Sequence, residues 1–127
     1  MRVLTIPADE REPQQLIELD GFRAMQEFVG GYVEIVRPRI LEPLNGVRIV
    51  MVVNEEGWLR DLPYNPRASR YYRGAEAGNA PGLGIAGDAF LVGEGMVETE
   101  PGLFEPDFVD FPETADGPGE VSISAGA

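Results

Sequence analysis

A chain of 127 residues, 43% of them apolar, is long enough for one hydrophobic core and too short for two. It has no cysteine, no histidine and, among its ten basic residues, no lysine, which excludes disulfides, catalytic triads, zinc sites, Walker-type phosphate loops and pyridoxal chemistry. The formal charge of −12 is lopsided: residues 1–73 hold all ten Arg beside eleven acids, whereas residues 74–127 hold eleven acids and no base, which reads as a balanced body followed by an acidic tail.

No run of eighteen apolar residues is present, and Met1–Pro7 lacks the apolar stretch and cleavage site of a secretory signal, so a cytoplasmic protein is expected. Arg2–Pro7 predicts a first strand, and Gln14–Leu19 a second one hairpinned to it. Asp20 fits an N-cap for a helix over Gly21–Val29, with Phe22, Met25, Phe28 and Val29 on one apolar face and Gly30-Gly31 as its stop. Tyr32–Leu41 predicts a third strand, whose far half Pro38 turns into an edge or a bulge. Asn45-Gly46 then turns the chain into Val47–Val53, where six of seven residues are apolar. Such a run suits a strand buried on both faces at the centre of the sheet, the element around which the rest is expected to be organised.

Asn54–Gly57 is turn chemistry, and Trp58–Leu62 predicts a short returning strand. Asn65 as N-cap and Pro66 at the first helical position start a second helix near Asn65–Arg73. Gly74–Gly82 reads as a loop, and Leu83–Gly93 contains one more strand, centred on Ala89–Val92. Beyond Glu94 the composition turns to Pro, Gly and acids, and Ala115–Ala127 reads as flexible. The expected fold is therefore α+β: a domain over residues 1–93 with a mainly antiparallel sheet of about five strands and one or two short helices, then an acidic Pro/Gly-rich C-terminal extension over residues 94–127.

Four blocks recur in a familiar order: Val29-Gly30-Gly31-Tyr32-Val33-Glu34-Ile35-Val36, Val52-Val53-Asn54-Glu55-Glu56-Gly57, Leu62-Pro63-Tyr64-Asn65-Pro66-Arg67-Ala68 and Ile85-Ala86-Gly87-Asp88-Ala89-Phe90-Leu91-Val92-Gly93. Together they resemble a small domain-of-unknown-function family carried by bacteriophages, plasmids and actinobacterial genomes. The resemblance covers residues 2–93 and implies a mobile-element accessory protein with no assigned activity. The acidic stretch beyond Glu94 lies outside it.

Three places carry candidate chemistry. Asn54, Glu55 and Glu56 put an amide and two carboxylates at a turn tip, either for a divalent cation or a ligand hydroxyl, or as solvated turn residues. Tyr64, Asn65, Arg67, Arg70, Tyr71 and Arg73, with Tyr72, form a cationic and aromatic cluster. It suits a nucleotide's phosphates and base, or else its arginines pair with the chain's own carboxylates. Gly82, Gly84 and Gly87 have dinucleotide-fingerprint spacing but precede a strand instead of following one, so they are set aside. The third place is the extension, where Glu98, Glu100, Phe104, Glu105, Asp107, Phe108, Asp110 and Phe111 mix carboxylates with aromatic rings. It reads as a partner-binding element that imitates a phosphate backbone or docks as a linear motif, or as a solubilising segment whose phenylalanines fill gaps.

The missing catalytic residue types and the acidic second part favour a non-enzymatic protein. Its expected partner is a host protein with a basic surface, with no cofactor, no metal, no membrane and no direct nucleic-acid contact, because net negative charge repels a phosphate backbone. The alternative is a module that binds or sequesters a nucleotide through the cluster at residues 64–73. A carboxylate-dependent hydrolase holding Mg²⁺ on Glu55 and Glu56 is a third reading, and it lacks further visible ligands.

Overall fold

The computed structural model describes residues 1–38, 41–73, 84–114 and 117–118. In chain order these form β1 (Arg2–Ile6), β2 (Leu16–Glu18), α1 (Gly21–Val29), β3 (Val33–Val36), β4 (Arg48–Asn54), β5 (Tyr64–Asn65), α2 (Pro66–Arg73), β6 (Ile85–Ala86), β7 (Ala89–Glu100), β8 (Leu103–Val109), β9 (Glu113–Thr114) and β10 (Gly117–Pro118). The main sheet has six strands in the order β2-β1-β7-β4-β3, with β8 also on β7, and every pairing in it is antiparallel. The α+β class and the mainly antiparallel sheet thus stand as read from the sequence.

The register assigns the central place to β7. It pairs with β1 through Ala89–Leu91 on one edge, with β4 through Phe90–Glu94 on the other, and with β8 through Gly93–Glu100. The expectation that Val47–Val53 would be the middle strand is corrected: β4 is internal and buried on both faces, but one place off-centre. Only the first part of β7 looks like a core strand in sequence. Its second part carries glycines and alternating acids, and the long-range ladder to β8 is what extends it. The strand runs without a break through Gly93 and Glu94, where the composition changes.

Side chains alternate across the sheet, so each internal strand feeds two cores. Leu4, Ile6, Ile49, Met51, Val53, Ala89, Leu91 and Phe111 meet on one face with Ala68 of α2. Val3, Val50, Val52, Phe90 and Val92 meet on the other with Met25 and Val29 of α1. The two helices therefore cover opposite faces, which the periodicity of each helix does not specify.

Local chemistry explains the ends. Gly30 takes the left-handed conformation at φ 82° and its N–H bonds the Gln26 carbonyl, closing α1 as expected. Asp20 occupies the N-cap position without a capping bond; its carboxylate lies 3.5 Å from the Met1 ammonium. Phe28 stands edge-on to Phe90 at 5.7 Å between centroids, whereas Phe22, on the same predicted stripe, remains exposed. Asn45 and Gly46 both have positive φ (51° and 78°), and the Leu44–Val47 bridge closes the hairpin turn read from that pair. The third strand ends at Val36, and Arg39 and Ile40 lie outside the described residues.

The returning strand expected at Trp58–Leu62 is instead a coil of turns. Arg60 N–H bonds the Glu56 carbonyl at 3.0 Å and Leu62 N–H the Gly57 carbonyl at 3.0 Å, so the backbone is satisfied locally and needs no strand partner. The Gly74–Gly82 loop lies outside the described residues, as does most of the stretch from Ala115 to Ala127.

Candidate functional site

The turn-tip residues split. Asn54 is buried, and its Nδ2 donates to the Val29 carbonyl at 3.0 Å while its Oδ1 accepts from Glu56 N–H at 2.7 Å. It ties the end of β4 to the end of α1, so it is a structural pin and not a ligand group. Glu56 faces Arg60 at 3.6 Å. Glu55 alone of the three projects freely outward, into a cleft of about 270 Å³ shared with Glu34, Trp58, Tyr72 and the backbone of Gly84–Ala86. The Trp58 indole N–H donates to the Gly84 carbonyl at 2.9 Å and its ring lies 6.1 Å from that of Tyr64. Among the described residues no three of His, Cys, Asp and Glu are grouped so as to hold a metal ion.

The Arg/Tyr cluster does not assemble into one surface. Asn65 is fully buried: Oδ1 accepts from Ala68 N–H at 3.0 Å as the expected cap, while Nδ2 donates to the carbonyls of Ile6 (2.8 Å) and Gly87 (2.9 Å). Its assignment as a ligand residue is therefore corrected, because every polar atom is already engaged in joining α2 to β1 and the turn before β7. Ser69 adds a bond from its Oγ to the Asn65 carbonyl and accepts from Ile85 N–H. Arg67 donates from Nη2 to the carbonyls of Pro7 (2.6 Å) and Asp9 (3.0 Å), and Tyr71 reaches Gln14 at 3.4 Å. These bonds seat α2 on the β1–β2 connection. Arg70 is half-buried, Tyr64 and Tyr72 sit on the cleft side, and the Arg73 side chain lies outside the described residues. Among the described residues, neither Arg67 nor Arg70 forms an ion pair with a carboxylate of the extension. The nearby Asp9 carboxylate is instead held down to about 2 by the hydrogen bonds of Arg11.

The extension is where charge and apolar surface coincide. β7 and β8 form a hairpin, turned at Pro101-Gly102, with a register shift between Glu98 and Glu100. Opposed residues share a face, so Glu94 and Phe108, Met96 and Pro106, and Glu98 and Phe104 lie on one side, while Gly95 and Asp107, and Val97 and Glu105, lie on the other. Near the body the hairpin is anchored. Arg37 grips Glu94 through three hydrogen bonds, Nη2–Oε2 at 2.7 Å, Nε–Oε1 at 3.0 Å and Nε–Oε2 at 3.2 Å, which lowers the Glu94 pKa and raises that of Arg37. Asp110 accepts from Arg2 N–H at 2.8 Å, and Phe111 N–H donates to the Arg2 carbonyl at 2.8 Å.

Away from the body the contacts end. Met96, Leu103 and Phe104 are 62%, 56% and 54% exposed, and Glu98, Glu100, Glu105 and Asp107 are exposed beside them. Of the eight residues expected to meet a partner, Phe111 is a correction. It is fully buried in the core beside Leu91, where its ring fills the sheet face. Phe108 is half-buried against the opposite core, and Asp110 serves the anchor. Glu98, Glu100, Phe104, Glu105 and Asp107 are brought together. Met96 and Leu103 are the members that sequence reading left aside; the alternation of Met96, Glu98 and Glu100 up to Pro101-Gly102 is the signal that marks them.

A family model described as Domain of unknown function (DUF3846) matches residues 1–102, taking in all of β7 and stopping in the hairpin turn. No curated protein and no solved structure matches the chain. No described helix is long and apolar enough to cross a membrane.

Proposed function

The chain belongs to the DUF3846 family of domains of unknown function, and from that premise we propose that it is a protein-binding module. It docks its β7–β8 hairpin, without making or breaking bonds, on a partner protein that carries a basic surface with apolar spots. One observation carries this reading: three large apolar side chains, Met96, Leu103 and Phe104, stand exposed among Glu98, Glu100 and Glu105 at the outer end of a hairpin whose inner end is pinned to the body.

Physics assigns those groups complementary roles. Residues 95–109 carry four acids and no base, a field of one sign that steers a cationic surface into encounter and repels nucleic acid. The apolar side chains then supply affinity when they are desolvated. A phage- or plasmid-borne accessory role, implied by the four sequence blocks, makes a protein of the host cytoplasm the natural partner. Of the cluster that the nucleotide alternative would use, Asn65 and Arg67 already donate to carbonyls of the fold.

Capture from host lysate compares the wild-type chain with a Glu98→Lys, Glu100→Lys, Glu105→Lys variant. The wild type is expected to retain a protein that added salt releases and the variant does not hold. Equal recovery by both chains overturns the proposal.

A further inference from the structure

We propose that the partner meets the hairpin as an added β-strand: an extended basic segment lying along the open edge of Gly95–Glu100, in line with β4. The inference rests on the binding reading above and adds its mode.

The edge follows from the register. β4 occupies one edge of β7 through Glu94, which pairs with Arg48, and β8 takes the opposite edge from Gly93 onward. β4 can reach no further, because the Asn45-Gly46 turn folds the chain back on itself through the Leu44–Val47 bridge. From Gly95 to Glu100 no described strand lies on the β4 side. Alternate N–H and C=O groups there have no described strand as partner, at a place where the sheet already has its spacing and twist. Main-chain bonds along such an edge supply affinity, and side chains at every second position supply specificity.

Charge selects the occupant. Met96 and Glu98 share one face of this edge, while the register shift places Glu100 on the other face with Leu103, so an antiparallel or parallel newcomer sets side chains of its two faces beside them. Basic residues suit the two glutamates and an apolar one suits Met96. Phe104, cross-strand from Glu98, offers a ring face to a guanidinium. A second copy of the chain is disfavoured, because pairing these edges brings glutamate against glutamate. β7 has no Lys, Arg or Pro along its length, and the guards it does carry, its glutamates and the register shift at Glu98–Glu100, turn away an acidic or like strand and leave a basic one welcome. β8 carries Pro106 mid-strand, which removes a donor there and makes its own outer edge the poorer template.

A labelled peptide alternating arginine and valine, read by fluorescence anisotropy with the full chain, tests this. Versions N-methylated at alternate residues block hydrogen bonding along one peptide edge or the other. The expected result is binding that falls at least about tenfold when one phase is methylated and holds when the other is, as loss of several main-chain bonds requires. Hydrogen exchange should then slow at alternate amides within Gly95–Glu100. Equal binding of both methylated peptides, still abolished by Glu98→Lys with Glu100→Lys, overturns strand addition while the charge-docking reading stands. No binding of any of these peptides also overturns strand addition, and the lysate capture then judges the broader reading alone. Protection of the same amides without peptide, together with a dimer in sedimentation, makes a second copy the occupant and overturns the basic-segment proposal.

Discussion

Strand β7 has two halves that share one backbone and little else. From Ala89 to Gly93 it is buried between β1 and β4 with apolar cores on both faces; from Gly95 to Glu100 it has one neighbour, β8, and mostly exposed side chains. The first half holds the fold together and the second presents a surface. The difference lies in what covers the strand, because both halves belong to one continuous extended element. Substitutions that remove equal volumes on the two sides should therefore separate stability from binding.

The largest contrast is between two phenylalanines. Phe111 is fully buried and Phe104 is half exposed, so Phe111→Ala should destabilise the chain by about 4 kcal/mol in urea unfolding. Asn65→Ala comes next at about 3 kcal/mol: the α2 cap is lost, and the buried carbonyls of Ile6 and Gly87 both lose the amide that donates to them. Gly93 sits at the seam, where an added Cβ would lie 2.7 Å from Val47 Cγ1 and 2.8 Å from Val109 Cγ2, and Gly93→Ala should cost about 2 kcal/mol. Gly95→Ala, two residues outward, meets nothing closer than 3.7 Å and should be near neutral. If Gly93→Ala and Gly95→Ala unfold at the same denaturant concentration, the seam is not where the register puts it.

The Arg37–Glu94 pair gives a smaller, pH-dependent effect. Arg37's hydrogen bonds depress the Glu94 pKa below its ordinary 4.5 in the folded chain. A carboxylate lowered in this way contributes stability that is present above the unfolded value and lost as pH falls through the folded one. The Arg37 side chain is 44% exposed and solvent screens the pair, so the contribution is about 0.5–1 kcal/mol. Thermal unfolding of Glu94→Gln against wild type should show a gap at neutral pH that closes in acid. Smallest of all, Phe104→Ala should leave stability within about 0.5 kcal/mol while weakening partner capture.

Local signals in the sequence identify most of the body. The limits of α1, the Asn45-Gly46 hairpin, the Asn65-Pro66 helix start and the two-sided burial of β4 each follow from a few adjacent residues. The tertiary pairings do not. Nothing near Glu94 in sequence states that Arg37 will hold it, or that β8 will continue the ladder. The acids and glycines of residues 94–102 look like a tail because half of a strand with one covered edge needs no apolar pattern. The same limit applies to the candidate sites. Asn54, Asn65 and Arg67 have the residue types of a ligand site, and only the distances to Val29, Ile6 and Pro7 show that they serve the fold.

The sheet's middle strand is contributed late in the chain. During synthesis β1, β2, β3 and β4 are complete by Asn54, yet β1 and β4 are joined in the sheet through Ala89–Glu94, which lies between them. Until that segment emerges, two apolar edges wait without a mate, and their closure joins residues some ninety positions apart, as in Leu4 with Leu91. Order of assembly thus makes the earlier strands depend on a segment that follows them, and a ribosome stalled before Ala89 would hold an open, aggregation-prone half-sheet.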